Sequence, residues 1–164
     1  MPYIEVPAEA VEERGAEDLY LEPGDYTGEA NSFKAWASDE GVEKLRVGVT
    51  NIANGSGAIR GTKTWWIVST NPSSEENTRI GRETIARLAR AVGVLQYDDN
   101  GRAFVPGDTL EETAREFSLG VQSGTRIGFR VRNRNKLVHG VPQRDENDEP
   151  ITYNEIKSVW KPRA

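Results

Sequence analysis

The chain has 164 residues, of which 36% are hydrophobic and 29% charged, and its formal net charge is −5. This length is typical of one domain with a modest core, and the negative charge by itself argues against a nucleic-acid-binding protein. The absence of cysteine excludes disulfides and thiolate metal sites. We expect no membrane span, because no apolar run of 18 residues occurs.

The charge is distributed unevenly along the chain. Residues 1–25 hold eight acids and a single base, Arg14, whereas residues 26–164 hold 20 bases and 18 acids. The mean charge therefore conceals a basic centre with acidic edges. We interpret residues 1–20 as an acidic flexible N-terminal arm with a short helix at 8–13, and residues 21–164 as one folded domain. The arm has no apolar stretch of the kind found in a secretory signal.

Three strands are predicted before the first helix. A Pro-Gly turn at 22–25 begins a strand over residues 26–36. A second strand over 44–50 alternates between apolar and polar residues and completes a hairpin. A third strand over 61–68 carries Trp65 and Trp66, which must point to opposite faces. The sequence does not say which of the two enters the core.

Two helices are predicted next. Ser73, with Glu76 three residues later, indicates a capping box, and the helix that it begins runs to about Val92. Gly93 suits the C-cap of that helix. Thr109 and Glu112 predict a second, short helix over residues 110–117.

A basic stretch at residues 126–136 predicts the fourth strand. Alternation places Ile127, Phe129 and Val131 on one face. The other face carries every base of the stretch, namely Arg126, Arg130, Arg132, Arg134 and Lys136. Such a row of cations indicates a polyanionic partner such as nucleic acid, and the alternative is a solvated face paired with neighbouring acids. A last strand over 151–160 follows an acidic loop at 145–149.

This order of elements predicts a mainly β fold. Five strands, with a helix between strands 3 and 4 and a second short helix before strand 4, are the order of an OB-fold-like barrel. That fold binds oligonucleotides on strands 2 and 3 and with its connecting loops. The alternatives are another small β-barrel or a sandwich.

Five short segments occur in one order along the chain. They are LEPGDY at 21–26, SDEGVEKLRV at 38–47, LARAVGV at 88–94, GFRVR at 128–132 and YNEIK at 153–157. With this set, over about residues 19–162, the chain resembles a family of phage-encoded single-stranded DNA-binding proteins. The resemblance implies an OB-like barrel, no catalysis, and a role in phage DNA replication or recombination in the cytoplasm of the bacterial host.

The same resemblance implies the partners of the chain. The expected partner is single-stranded DNA, with RNA as the alternative. Phage or host replication proteins and further copies of the chain are candidate partners, and the sequence leaves the oligomeric state open. Many single-stranded DNA-binding proteins carry an acidic C-terminal tail that recruits replication proteins. This sequence ends Lys161-Pro-Arg-Ala164 and has its acids near the N-terminus, which departs from that pattern.

Binding of a single strand requires cations for the backbone and aromatic faces for the bases. The candidate cations are Lys34, Lys44, Arg46, Lys63, Arg126, Arg130, Arg132, Arg134 and Lys136. The candidate aromatic platforms are Trp36, Trp65, Trp66, Tyr153 and Trp160. We therefore predict a sequence-tolerant single-stranded DNA-binding protein. The alternative is a protein-interaction or structural phage module that uses its β surface without binding nucleic acid.

Patterns of catalytic or metal-binding residues are poor. His139 is the only histidine and lies in a Val-His-Gly loop. Asp145, Asn147 and Glu149 match only part of a calcium loop, because Pro150 stands where that loop needs glycine. We predict no enzymatic activity, no cofactor and no metal.

Overall fold

The computed structural model describes residues 19–163. The predicted helix at 8–13, and all of the predicted arm up to residue 18, lie outside the described residues. The last two residues of that arm belong to the folded domain. The amide of Leu19 donates to the carbonyl of Thr62 at 3.0 Å, and the Tyr20 hydroxyl lies 3.2 Å from the hydroxyl of Thr152.

The described residues form ten strands and two helices. The strands are β1 (Gly24–Ala37), β2 (Glu43–Asn54), β3 (Gly57–Ile59), β4 (Lys63–Thr70), β5 (Gln96–Tyr97), β6 (Ala103–Phe104), β7 (Arg126–Asn135), β8 (Leu137–Val138), β9 (Val141–Pro142) and β10 (Thr152–Trp160). The helices are α1 (Glu75–Val92) and α2 (Leu110–Gly120). The prediction of a mainly β chain is confirmed, and β1, β2, β4, β7 and β10 correspond to the five predicted strands.

One antiparallel sheet organises the fold. Its strands lie in the order β10-β7-β1-β2, and both β3 and β4 pair with the far edge of β2. The first half of β1 pairs with β7, whereas pairing with β2 extends along most of β1 to its end. No strand ladder joins β4 to β10 within residues 19–163. The sheet is therefore not closed into the predicted barrel.

A polar bridge joins the two strands at the open side of the sheet. The Lys63 ammonium, with the residue only 2% exposed, donates to the carbonyl of Leu19 and to the side-chain oxygen of Asn154, each at 2.9 Å. Asn154 also bonds the backbone nitrogen and oxygen of Leu21, each at 2.8 Å. Buried polar groups need such partners. The starts of β4 and β10 are thus connected through side chains and residues 19–21.

The core lies on the inner face of the sheet, where alternation placed the apolar residues. Phe129 stacks on Tyr26, with ring centroids 5.8 Å apart, and meets Trp65 at 5.5 Å. Phe33 stacks on Phe117 of α2 at 5.1 Å. Each fully buried side chain of this size contributes about 1.5–3 kcal/mol relative to exposure. These contacts fill the inner face, and the side chains between them in each strand point to the opposite face.

Helix α1 begins one residue later than the capping pattern predicts. The Ser74 hydroxyl accepts from the amide of Asn77 at 3.1 Å, whereas Ser73 belongs to the preceding turn, since its amide donates to the side chain of Asn71. The predicted C-cap, Gly93, is confirmed with φ at 83°. The helix packs on β4 so closely that a Cβ at Gly81 would lie 1.4 Å from the carbonyl oxygen of Val68.

The remaining connections are short hairpins and α2. Thr109 is the N-cap of α2, as predicted, and accepts from the amide of Glu112 at 3.1 Å. Strands β5 and β6 enclose the turn at 98–101, and β8 and β9 form a hairpin within the loop between β7 and β10. Neither helix in this part of the chain has the length and apolar character needed to cross a membrane.

Candidate nucleic-acid interface

The two adjacent tryptophans of β4 lie on opposite faces, as alternation requires. Trp65 is partly buried and contacts Phe129 in the core. Trp66 points outward and is 47% exposed. The choice that the sequence left open is therefore decided, and Trp65 is unavailable as a platform for bases.

Three neighbouring strands bring aromatic and basic side chains together on the outer face. We call this set the tryptophan patch, and its members are Lys34, Trp36, Lys44, Arg46 and Trp66. Trp36 is 47% exposed, and its ring meets that of Trp66 edge to face, with centroids 6.4 Å apart. Because Trp36 lies on β1 and Trp66 on β4, their rings approach each other across β2.

The strand register explains why the patch forms. Lys34 pairs with Arg46, which pairs in turn with Trp66, and Trp36 pairs with Lys44. These residues share one face because residues two apart along a strand point the same way. A β-bulge between Ala30 and Ser32 shifts the register of β1 relative to β2 and thereby sets which residues of β1 face outward here.

The cations of the patch lack acidic partners. No carboxylate among the described residues lies within 4.0 Å of Lys34, Lys44 or Arg46. Lys44 places its ammonium 5.4 Å from the centre of the Trp36 ring, a distance at which a cation is attracted to the indole face. The Nε of Arg46 is shielded from solvent and has no hydrogen-bond partner in residues 19–163. Among residues 19–163, the patch thus presents three cations that form no ion pair, although Glu43 and Glu111 line the pocket beside Lys34 and Trp36.

The predicted basic strand, β7, has the two faces that alternation requires. Ile127, Phe129 and Val131 are buried, whereas Arg130, Arg132 and Arg134 are exposed on the outer face. The charges on that face are not free, however. Arg130 forms a two-point ion pair with Asp25, at 2.7 and 3.2 Å. Glu155 lies 3.0 Å from Arg132 and 3.4 Å from Arg134.

This pairing changes the electrostatics of β7. The hydrogen bond from Arg130 holds the pKa of Asp25 below its ordinary value, because it stabilises the carboxylate form. The same hydrogen bond raises the pKa of Arg130. Two carboxylates offset three guanidinium groups here, so the local excess of charge is smaller than the sequence of β7 suggests.

Other predicted residues lie apart from the patch. Arg126 donates to the Thr27 hydroxyl at 2.8 Å. Lys136 is exposed and follows the end of β7. Tyr153 is exposed and faces Arg134 across the strands. The Trp160 indole covers Gly128, since a Cβ at that glycine would lie 2.2 Å from the indole nitrogen.

Lys63 was predicted as a DNA-binding cation, but it does not lie on the outer face with the patch cations. Its burial at the open side of the sheet directs the ammonium to Leu19 and Asn154, away from the outer face. The sequence left open which face of this strand is buried, and Lys63 shares the inward face of Trp65 because the two are two residues apart in β4. Its role in this structure is to connect β4 with β10.

Residues considered for catalysis or metal binding do not converge. His139 is exposed in the turn of the β8–β9 hairpin, with φ at 51°. The side chain of Asp145 caps its own turn by accepting from the amides of Asn147 and Glu149, each at 2.9 Å. Over residues 19–163, no group of three or more acidic or histidine side chains is placed to hold a metal ion.

Comparison with known proteins identifies no relative of this chain. The chain matches no protein-family model, and a search of curated protein sequences finds no significant match.

Proposed function

We propose that the protein binds single-stranded DNA without strong sequence preference, and that the tryptophan patch is the centre of its binding surface. The observation that carries this proposal is the meeting of two half-exposed indoles with three cations that have no acidic partner among the described residues. Single-strand binders combine these two features. We further propose that the sheet is an OB-like barrel left partly open.

The two kinds of side chain would act on different parts of the strand. Trp36 and Trp66 offer faces on which bases stack, and stacking is tolerant of sequence because every base has a π face. Lys34, Lys44 and Arg46 would neutralise the phosphates that lie between stacked bases. Phosphate binding would release counterions, so affinity should fall as salt rises.

Lys44 illustrates how binding would rearrange the patch. In the free protein its ammonium lies over the Trp36 ring, where it occupies a position that a base needs for stacking. A bound strand would move this ammonium toward a phosphate and free the indole face. The Lys44 ammonium and the Trp36 ring would thus contact each other in the free protein, and in the complex they would contact a phosphate and a base.

The cations of β7 would contribute less than those of the patch. A phosphate that approaches Arg130 or Arg132 must compete with Asp25 or Glu155, which already bind these side chains. Exposed ion pairs are worth only about 0–1 kcal/mol, so a polyanion can exchange them. Because this exchange costs some free energy, which the patch cations do not require since they have no acidic partner among the described residues, we assign β7 a secondary role in binding. The resemblance to phage proteins extends the proposal to phage DNA replication or recombination.

The test is titration of intrinsic tryptophan fluorescence with oligo-dT at several salt concentrations. We expect quenching, because stacked bases contact Trp36 and Trp66, and an apparent affinity that falls with salt. The absence of quenching at low salt would contradict the proposal. A variant with Trp36→Phe and Trp66→Phe should lose most of the quenching while Trp65 and Trp160 still fluoresce.

A second candidate function is protein binding. The β8–β9 hairpin exposes Leu137, Val138 and Val141 at its tip, and exposed apolar groups of this kind suit a protein partner. A protein-interaction module would show no oligonucleotide affinity, and its variant Val138→Asp would lose the partner. In a single-strand binder, Trp36→Ala reduces oligonucleotide affinity whether or not the hairpin is altered.

A further inference from the structure

A second cationic site lies away from the tryptophan patch. A cavity of about 740 Å³ opens between the C-terminal ends of both helices, the start of β7 and the residues that follow β10. We call it the three-cation cleft, after Arg126, Lys161 and Arg163, which line it together with Gly93, Gly120 and Gly124. None of the described residues that line this cleft is acidic.

The three cations differ in how they are held. The Arg126 guanidinium is half-buried and oriented by its hydrogen bond to Thr27 at 2.8 Å. Lys161 and Arg163 are exposed. Within the described part of the chain, no carboxylate lies within 4.0 Å of any of the three. One oriented guanidinium and two adaptable cations thus share an open cavity.

Helix termini account for only part of this charge. Helices α1 and α2 end at Val92 and Gly120, and each C-terminus carries roughly half a negative charge. Two such termini offset about one of the three positive charges. Glu29 faces Arg126 across β1 and β7 but does not line the cleft, and its carboxylate accepts from Asn51 at 2.9 Å. The lining therefore keeps a positive excess, and an anion would reduce the repulsion between its cations.

Two glycines leave open space at the wall of the cleft. A Cβ at Gly93 or Gly124 would meet no atom within 4 Å, so these glycines border open space. Both have positive φ, at 83° and 84°, a conformation that favours glycine. The amide of Gly93 already donates to the carbonyls of Ala89 and Arg90 in the helix cap, so an anion that enters this space would be bound by the cations and not by that amide.

We propose that the three-cation cleft binds a phosphate group. Two sources share this chemistry: a free phosphate-bearing small molecule, and the backbone of a nucleic acid strand. Only the second source rests on the function proposed for the tryptophan patch. In that case the strand would contact the protein at two separate places, and oligonucleotides too short to reach both would bind less tightly.

The probe is sodium pyrophosphate, titrated at low salt into the full-length ¹⁵N-labelled chain and followed by NMR. The amides of Gly93, Gly120 and Gly124 report on the cleft, and those of Gly55 and Gly101, which do not line it, serve as references. We expect saturable shifts of the first three. The double variant Lys161→Gln, Arg163→Gln should weaken binding about fivefold, since each exposed charge contact contributes up to about 1 kcal/mol. Its matched control is Arg87→Gln with Arg102→Gln, which removes the same charge from exposed residues outside the cleft.

Oligo-dT affinities of the same variants separate the two sources. Loss of pyrophosphate binding with unchanged oligo-dT affinity supports a free phosphate ligand. A parallel loss of oligo-dT affinity, with shifts of the three glycines by oligo-dT, supports the backbone. Pyrophosphate binding should survive Trp36→Ala with Trp66→Ala, so failure of the DNA proposal is distinguishable. The inference is overturned if neither ligand shifts the three glycines, or if the double variant lowers only thermal stability, as expected for cations that merely offset helix termini.

Discussion

Lys34 and Arg46 face each other directly across β1 and β2 on the outer face of the sheet. Like charges in this arrangement destabilise a strand pair. On β7, by contrast, Arg130 faces Asp25 and Arg132 faces Glu155, which is the arrangement that stabilises a sheet. The difference identifies the Lys34–Arg46 pair as a local cost to stability that an external anion would remove.

The first prediction concerns this pair. The double variant Lys34→Gln, Arg46→Gln should bind oligo-dT more weakly, and the slope of log affinity against log salt should become shallower by about 1.4, or 0.7 for each lost phosphate contact. Its thermal stability should be equal or slightly higher, because the like-charge pair is gone. Salt-dependent fluorescence titrations and melting curves measure both quantities. The matched control is Arg130→Gln with Arg132→Gln, for which an equal or larger change in slope would shift the binding centre to β7.

The second prediction concerns the indoles. Trp36→Ala and Trp66→Ala should each weaken oligo-dT binding by ~1–3 kcal/mol, equivalent to roughly 5- to 150-fold in Kd. Their effect on folding should be small, since both side chains are half-exposed. Anisotropy of a labelled oligonucleotide gives the Kd. Trp65→Ala provides the contrast, because loss of the contact with Phe129 should cost about 3 kcal/mol of stability.

The third prediction separates structure from binding at Lys63. Lys63→Met keeps the side-chain length but removes the donor to Leu19 and Asn154, and a buried acceptor left without its donor costs about 1–3 kcal/mol. Urea denaturation should show that loss, while the folded variant keeps its oligonucleotide affinity. Lys34→Met should instead lower oligonucleotide affinity and leave the free energy of unfolding nearly unchanged. Reduced affinity of folded Lys63→Met with unchanged stability would contradict the structural role.

The fourth prediction concerns the packing of α1 on β4. Replacing glycine by alanine inside a helix usually adds about 1 kcal/mol of stability. Gly81→Ala should instead destabilise the protein by at least about 1–3 kcal/mol, because its Cβ would overlap the Val68 carbonyl. Denaturation with urea measures the change. Gly55→Ala, where a Cβ meets nothing within 4 Å, should alter stability by less than about 0.5 kcal/mol.

The fifth prediction concerns pH. The pKa of Asp25 is lowered in the folded protein by the hydrogen bond from Arg130, so its stabilising contribution is present above the ordinary carboxylate range, near pH 4, and is lost as pH falls through the lowered value. Asp25→Asn should therefore melt at a lower temperature than the unaltered chain at neutral pH, with the gap closing toward pH 2. Added salt should narrow the gap, since both groups are exposed. A gap that widens on acidification would refute this assignment.

Local pattern accounts for much of the fold. Alternation correctly separated Ile127, Phe129 and Val131 from the arginines of β7, and Thr109 and Gly93 marked helix ends where the structure has them. These features depend on residues within a few positions of each other, which a sequence displays directly. Only Ser73 has the glutamate three residues later that the capping box requires, yet Ser74 is the N-cap, and the amide of Ser73 donates to Asn71 in the preceding turn.

The candidate site depended on distant residues, and this is where sequence reasoning was incomplete. It named Lys34, Trp36, Lys44, Arg46 and Trp66, but it gave equal standing to Lys63 and Trp65, which the structure places inward. It did not single out Lys161 and Arg163, because only the folded structure shows that they line one cavity together with Arg126.

The sequence by itself predicted the five long strands and both helices, the alternation of the two faces along each strand, and the presence of cations and tryptophans on those strands, but not the five short strands. Only the tertiary structure decided which cations keep a free charge and which tryptophan faces outward. The physical reason is that neutralisation and burial arise between partners far apart in the chain: Asp25 and Arg130 are separated by 105 positions, and Lys63 and Asn154 by 91. The basic stretch at residues 126–136 is conspicuous in the sequence, but three of its five cations contact carboxylates in the fold. The tryptophan patch, by contrast, is dispersed over three strands and assembled only by their pairing.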